Sequence, residues 1–184
     1  MMPTDQLVKE HVSIQLMLNV LERVCSKLNA GGKVPQEHLE QILEFIKVFA
    51  DQCHHGKEEE FLFPAMEKVG IPRDGGPIGV MLAEHTEGRQ YVKELGGAIE
   101  RYGGGDRTAV TAFVSSARKY VELLNAHIEK ENGILFPMAE EHLPERKKIE
   151  LLAGFGRVDD EKIGRAQHEH LQNILKRLTT EYLS

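Results

Sequence analysis

Apolar residues recur every three or four positions along four long stretches of the chain. This spacing is typical of one face of an α-helix, and no stretch shows the strict alternation of a β-strand. Segments rich in glycine and proline, "NAGGKVP", "VGIPRDGGP" and "YGGGD", separate the four stretches and indicate turns. The pattern therefore predicts four long helices, over residues 4–29, 36–69, 76–102 and 106–141.

Two further breaks, "HLPERK" and "GFGRVDD" near Gly154, predict two shorter helices, over residues 144–153 and 158–182. Antiparallel helices joined by short loops form up-down-up-down bundles. The predicted fold class is all-α: an up-down-up-down four-helix bundle with one or two additional C-terminal helices. We assign residues 1–143 to the bundle and residues 144–184 to a C-terminal helical extension packed on it.

Histidines interrupt the apolar stripe of every long helix, and glutamates follow two of them one turn later. Polar groups on a buried stripe are costly unless a partner satisfies them, and a metal ion would do so. Residues four apart share a helix face, so each histidine–glutamate pair can point to one place. The candidate metal ligands are His11, His54, Glu58, His85, His127 and Glu131.

The spacing of the four histidines predicts that they lie at one level of the bundle. Residues of two antiparallel neighbours lie level when the connecting loop is at their midpoint, and the successive midpoints are 32.5, 69.5 and 106. All three midpoints fall in or beside predicted loops. With a rise of about 1.5 Å per residue, each histidine then lies about 30 Å from its loop.

An internal repeat relates the two halves of the predicted bundle. His85 follows His11 by 74 residues and His127 follows His54 by 73, which indicates two similar hairpins about a pseudo-twofold axis. Two metal ions that share the two carboxylates would each have two nitrogen and two oxygen ligands. Ligation by nitrogen and oxygen without thiolate suits iron or manganese, and zinc could occupy the site by availability.

The order H…HxxxE…H…HxxxE, with "EH" in the first and third motifs and "LFP" after the second and fourth, resembles the hemerythrin-like (HHE cation-binding) domain over about residues 5–141. The resemblance implies a four-helix bundle with two non-haem iron ions bridged by oxide or hydroxide, with manganese or zinc as substitutes. It also implies chemistry with oxygen, peroxide or nitric oxide.

The chain departs from the oxygen-carrying hemerythrins at two positions. Their third helix has a second histidine where this chain has Arg89, and their last helix has an aspartate five residues after its histidine, where this chain has Glu131 four residues after His127. The resemblance therefore favours the bacterial-type proteins linked to peroxide, nitric oxide or iron handling. Arg89 could contact a site carboxylate or a bound oxyanion from outside the ligand set, or could point along the bundle surface.

The leading functional hypothesis is a di-iron oxidoreductase that acts on peroxide or nitric oxide. The alternatives are oxygen binding or storage, and a redox, oxygen or iron sensor without turnover. The ligand would be a small molecule, O2, H2O2 or NO, and a redox partner protein would supply electrons. A net charge of −6 argues against general nucleic-acid or membrane affinity, and two cysteines without a signal-peptide pattern lead us to expect a cytoplasmic setting.

Several residues near the ligands have open assignments. We expect His55, Glu59 and Glu60 to be neighbours of the site or part of a solvated face. Glu10 and Glu84 precede ligand histidines and could support the ligands.

Other assignments concern residues outside the ligand motifs. Cys53 is expected to fill the core, with a redox-responsive thiol as the alternative. His168 and His170 are expected at the surface or in packing, unless the last helix crosses the bundle and brings His168 to the site. Pro64 and Pro137 are expected to kink their helices rather than end them.

Overall fold

Helices form all the regular secondary structure of the computed structural model, which describes residues 1–184 and contains no strand. The predicted all-α class is confirmed, and four long helical rods form the bundle. None of the helices combines the length and the apolar character that a membrane span requires. The first and third rods are α1 (Pro3–Asn29) and α4 (Pro77–Gly103), close to their predicted bounds.

The second and fourth rods change helical type along their length. In the second, α2 (Gln36–Phe45) passes through π-helical turns, Ile46–His55 and Glu58–Leu62, into α3 (Phe63–Lys68). In the fourth, α5 (Ala109–Lys130) passes through a π-helical turn, Glu131–Leu135, into α6 (Phe136–His142). The shared order of elements at the two "LFP" segments shows the repeat in three dimensions.

The prolines of the two "LFP" segments lie just after these short π-helical turns. A proline ring clashes with the carbonyl four residues earlier and cannot donate a hydrogen bond, and a widened turn accommodates both effects. The backbone N–H of Phe63 donates to the carbonyl of Glu58, and that of Phe136 donates to the carbonyl of Glu131. Each rod therefore continues past its proline, and the widened turn begins at a predicted ligand glutamate.

The four rods pack around two apolar clusters at different heights of the bundle. α5 lies along α1 and α4, and the second rod contacts both α1 and α4. The larger cluster, which includes Leu18, Phe45 and Phe113, fills the half near the first and third loops. The smaller cluster, which includes Leu7 and Phe63, fills the other end. The candidate ligands lie between the two clusters along every rod.

The C-terminal segment differs from its predicted bounds. α7 (Glu145–Arg157) runs through Gly154 and continues as π-helical Val158–Ile163, so the predicted break near Gly154 is wrong. A Cβ at Gly154 would lie 2.5 Å from the Phe61 ring, which means that this glycine permits close packing rather than a turn. The turn comes at Gly164 with φ of 83°, a conformation that favours glycine.

The last helix, α8 (Arg165–Leu183), packs on the bundle along α1 and α2. It begins seven residues later than predicted because the chain stays helical up to Ile163. Leu171, Ile174 and Leu178 are buried in the larger apolar cluster. The extension therefore contributes to the core, while the division of the chain at residue 143 stays a prediction.

Candidate metal centre

The six predicted ligand side chains meet in the layer between the two apolar clusters. Each is at most 2% exposed. The ring centroids of His11 and His54 lie 4.6 Å apart, and those of His85 and His127 lie 4.8 Å apart. The structure thus brings all six residues together at the level that the loop midpoints predict.

The two glutamates each connect a histidine of one hairpin with a histidine of the other. Glu58 places its two oxygens 3.4 Å from His54 Nε2 and 3.3 Å from His85 Nε2. Glu131 places its two oxygens 3.1 Å from His127 Nε2 and 3.0 Å from His11 Nε2. Each carboxylate therefore contacts imidazoles from both hairpins.

Unpartnered polar atoms concentrate in this layer. Seven of the eight buried side-chain nitrogen and oxygen atoms without a hydrogen-bond partner belong to it. They are the Nε2 atoms of His11, His54 and His55 and both oxygens of Glu58 and Glu131. The atoms are close but lack hydrogen-bond geometry, and leaving so many unsatisfied would be costly. The donor set therefore fits bound metal ions, with His11, His54, Glu58 and Glu131 on one side and His55, Glu58, His85 and His127 on the other.

Glu10 and Glu84 support the ligands. Glu10 Oε2 lies 2.8 Å from His54 Nδ1, and Glu84 Oε2 lies 2.8 Å from His127 Nδ1. Histidines that bind metal through Nε2 commonly donate the Nδ1 proton to a carboxylate, which orients the ring and makes the ligand more basic. The glutamate before the first histidine of each hairpin thus orients the second histidine of that hairpin.

The other two ligand histidines are oriented across the hairpins. His11 Nδ1 lies 2.7 Å from Asn132 Oδ1, and His85 Nδ1 lies 2.8 Å from Glu59 Oε1. Asn132 and Glu59 each directly follow a ligand glutamate. Asn132 is not among the residues predicted from the sequence, although its position in the repeat matches that of Glu59.

His55 is not on a solvated face, and that alternative is wrong. The residue is 4% exposed, its Nδ1 lies 3.3 Å from Asp51 Oδ1, and its ring stacks on His85 with centroids 3.8 Å apart. The π-helical turn Ile46–His55 accounts for this, because it has more residues per turn than an α-helix and turns less per residue. Two adjacent histidines, His54 and His55, can then face inward together.

Arg89 lies outside the ligand set and contacts the carboxylates that orient the histidines. Its Nε donates to Asp51 Oδ1 at 2.9 Å, and a terminal nitrogen donates to Glu59 at 2.9 Å. The side chain is 42% exposed. Burial raises the pKa of Asp51, but hydrogen bonds from His55 and Arg89 outweigh it and lower that pKa to about 2.

Comparison with known proteins is consistent with this geometry. The family model of the hemerythrin HHE cation-binding domain matches residues 2–139. The chain belongs to this family. Two uncharacterized proteins, one of Mycobacterium tuberculosis and one of Mycobacterium bovis, are 23% identical over 133 residues, which is 72% of this chain and 51% of each relative.

A further relative carries a functional name. The iron-sulfur cluster repair protein YtfE of Salmonella paratyphi B is 35% identical over 89 residues, which is 47% of this chain and 40% of that protein. This chain therefore spans about half the length, or less, of the curated relatives it matches. No solved structure matches the chain.

A cleft of about 260 Å³ leads to one side of the hemerythrin-like centre. Its inner wall includes His55, His85 and Tyr120, and its cationic side chains are Lys47, Arg89 and Lys93. Asp51 is the one acidic residue that lines it. In a chain of net charge −6, this opening is locally cationic and has room for a small molecule.

Cys53 and the histidines of α8 lie outside the centre. Cys53 is buried, and burial raises the pKa of its thiol well above the usual range, so it is protonated at neutral pH. His168 Nε2 lies 3.4 Å from Asp159 and 4.0 Å from Cys53 Sγ, and it does not contact the ligands. His170 is exposed beside Glu44.

Metal binding to the hemerythrin-like centre is expected to release protons. Burial lowers the pKa of both His54 and His127, but Glu58 and Glu10 raise it to about 10 in His54, and Glu131 and Glu84 raise it to about 9 in His127. Both rings are therefore protonated at pH 7 and must each lose a proton to bind a cation. We expect calorimetry in buffers of different ionisation enthalpy to give at least about two protons released per chain at pH 7, and metal affinity to rise with pH until about 9–10. A proton release that stays near zero would contradict the protonation of His54 and His127 in the metal-free centre.

Proposed function

We propose that this hemerythrin-like chain is a non-haem di-iron protein that reacts with small oxidants, with peroxide or nitric oxide as its substrate. The observation that carries the proposal is the convergence of six unpartnered buried nitrogen and oxygen atoms, from His11, His54, Glu58 and Glu131, between the two apolar clusters. Nitrogen and carboxylate ligands without thiolate suit iron.

The chain's own residues divide into two ligand sets. His11 and His54 would hold one ion, and His85 and His127 the other. Glu58 and Glu131 would be shared by both. When bound, two irons supply electrons by changing oxidation state and supply coordination positions that the protein leaves open. The carboxylates and the amide that hold the Nδ1 atoms keep each Nε2 directed inward.

The cleft supports access for a small ligand rather than a large substrate. It reaches His85, which belongs to one ligand set, and neither histidine of the other set, His11 or His54, lines it. The side with His85 and His127 is therefore the side at which we expect a small molecule to arrive.

The proposal also includes the source of the electrons and the cellular compartment. In this proposal a redox partner protein or a small reductant supplies the electrons. Both cysteines are free and buried, which fits a reducing, cytoplasmic compartment.

Metal analysis together with an oxidant assay tests the proposal. Purified protein loaded with iron should contain about two irons per chain, as in di-iron bundles, and should consume hydrogen peroxide or nitric oxide. His54→Ala should abolish this consumption, whereas His170→Asn, at an exposed histidine, should leave it unchanged. Two bound irons with no consumption of either oxidant would limit the function to binding or sensing.

His55 is expected to support the centre without binding metal. A histidine binds a cation in the plane of its ring, and the His55 and His85 rings are stacked with planes only 20° apart. An ion in the plane of the His85 ring therefore lies outside the plane of the His55 ring. We expect His55→Phe, which keeps the stack, to retain the iron content of the wild type, whereas His85→Phe loses iron. Loss of one iron from His55→Phe would make His55 a ligand.

Iron donation is a second candidate, favoured by the similarity to the iron-sulfur cluster repair protein YtfE. In this role the iron would leave the centre as cargo. Mixing iron-loaded protein with a cluster-depleted iron-sulfur protein and measuring iron transfer separates the two functions. Transfer that outpaces release to a chelator alone would favour repair, and iron that stays bound through many turnovers of peroxide would favour catalysis.

A further inference from the structure

A buried lysine lies beside the hemerythrin-like centre and links it to the C-terminal extension. Lys57 directly precedes the ligand Glu58, and its side chain is 0% exposed. Its ammonium forms ion pairs with Glu10 and Asp159 and donates to Cys53 Sγ at 3.4 Å. A buried ammonium needs such partners, because an unpaired one would be costly.

The first partner, Glu10, connects Lys57 to a ligand. One oxygen of Glu10 accepts from Lys57, and the other lies 2.8 Å from His54 Nδ1. The strength of the hydrogen bond from His54 depends on how much negative charge remains on Glu10. A stronger acceptor makes the imidazole a better metal ligand.

The second partner, Asp159, belongs to the C-terminal extension. Three parts of the protein fix its position: Gln6 donates to Oδ2 at 2.8 Å, Cys53 Sγ lies 3.4 Å from Oδ1, and His168 Nε2 lies 3.4 Å from Oδ1. Asp159 therefore lies where α1, the second rod and α8 meet. It is the extension residue that pairs with Lys57.

The other half of the repeat lacks this third carboxylate. Lys130 directly precedes Glu131 and pairs with Glu84, which accepts from His127 Nδ1, so the contacts match those of Lys57, Glu10 and His54. Lys130, however, is 40% exposed and pairs with no residue of the extension. The two halves thus share the lysine–glutamate–histidine contacts but differ in the charge beyond the lysine.

We propose that Asp159 is a positioning residue through which the C-terminal extension strengthens the hydrogen bond of His54 and so tightens the metal ion held by His11 and His54. The effect on the metal ion rests on the proposed di-iron function. Asp159 shares the charge of Lys57, which leaves more negative charge on Glu10. The extension thereby makes the two metal positions unequal, and a partner or deletion that displaces Asp159 would change one position and not the other.

Cys53, Asp159 and His168 are close enough to resemble a third metal site. The Lys57 ammonium lies 3.4 Å from Cys53 and pairs with Asp159, so a cationic group already balances this cluster. A second cation beside it would be repelled. We therefore assign the cluster to the series of polar contacts from Asp159 through Lys57 and Glu10 to His54, and not to a metal site.

The first test reads the His54 hydrogen bond directly and needs no iron. Nitrogen-edited NMR of the full-length protein, with zinc in place of iron to keep the signals sharp, would follow the Nδ1–H protons of His54 and His127. Asp159→Asn should move the His54 signal upfield and leave that of His127 in place. Asp160→Asn removes an exposed carboxylate next in the chain and should move neither signal, and Asp159→Glu should restore the His54 signal. An unchanged His54 signal in Asp159→Asn would overturn the proposal.

The second test follows iron retention in the loaded protein. Asp159→Asn should release one of the two irons to a chelator about tenfold faster than the wild type, at the lower end of the effects of residues behind metal ligands. The other iron should be released at the wild-type rate. Equal acceleration of both irons would indicate general loosening and would contradict the proposal. A wild type that binds no iron pair contradicts the di-iron function, while the NMR result still decides the link from Asp159 to His54.

Discussion

Replacing Glu131 by alanine is expected to abolish binding of the iron pair. The Glu131 oxygens lie 3.0 Å from His11 Nε2 and 3.1 Å from His127 Nε2, so this one carboxylate contacts both ligand sets. Its loss would remove an oxygen ligand from each ion and the negative charge that holds them close together. A ligand at 1,000 times its dissociation constant stabilises a folded protein by about 4 kcal/mol, and that stabilisation should disappear.

The measurement is iron content by elemental analysis, with thermal unfolding in the presence and absence of ferrous iron. Wild-type protein should unfold at a higher temperature with iron, and Glu131→Ala should show no such increase. Glu129→Ala is the matched control, because Glu129 is exposed and lies two residues earlier on the same helix. Two irons retained by Glu131→Ala would contradict the shared-carboxylate arrangement.

Replacing Lys57 by methionine is expected to destabilise the fold far more than the same change at Lys130. Lys57 is 0% exposed and pairs with two carboxylates, so its removal takes the ammonium away from both Glu10 and Asp159. Removing one partner of a buried pair costs about 3–5 kcal/mol, and we expect the lower end because Asp159 is partly exposed. Lys130 is 40% exposed, and its loss should cost less than about 1 kcal/mol.

Urea unfolding of the two variants measures this difference. The repeat makes the comparison closely matched, since each lysine precedes a ligand glutamate and pairs with the glutamate that orients a histidine. Lys57→Met/Asp159→Asn should recover part of the lost stability, because it removes one of the two carboxylates that lost the lysine. Equal effects at Lys57 and Lys130 would contradict the difference in burial on which the argument depends.

The predictable part of this site lies in its spacing. The positions of His54 and His127 relative to their loops predict their level in the bundle, since helical rise is nearly constant. The i,i+4 spacing of His54 and Glu58 predicts a shared face, and the structure brings the two together. These inferences need only helix geometry and short loops.

Local changes in helical type were harder to predict. His55 follows His54 directly, and α-helical geometry turns it away from the site, but the π-helical turn Ile46–His55 turns it inward. Neither the apolar spacing nor the positions of glycine and proline mark that turn. The break that the sequence predicts near Gly154 is likewise absent, because the close approach of this glycine to Phe61 depends on a rod nearly a hundred residues earlier in the chain.

Contacts between segments that are distant in the sequence could not be predicted. Asp159 is an ordinary acidic residue in "GRVDDEK", and nothing local distinguishes it from Asp160. Its role follows only from the packing of the extension against Lys57. The sequence does not define that packing. The residues that orient the ligands are therefore predictable within the repeat and unpredictable beyond it.

Glu58 and Glu131 are proposed to join two metal ions in one centre. Mössbauer spectroscopy of protein loaded with 57Fe, with the iron content of the same sample, distinguishes a joined pair from separate ions. We expect about two irons per chain in a spin-coupled pair, as in carboxylate-bridged bundle sites. One iron per chain with the paramagnetic spectrum of an isolated ion, or a tightly held zinc that iron cannot replace, would contradict it.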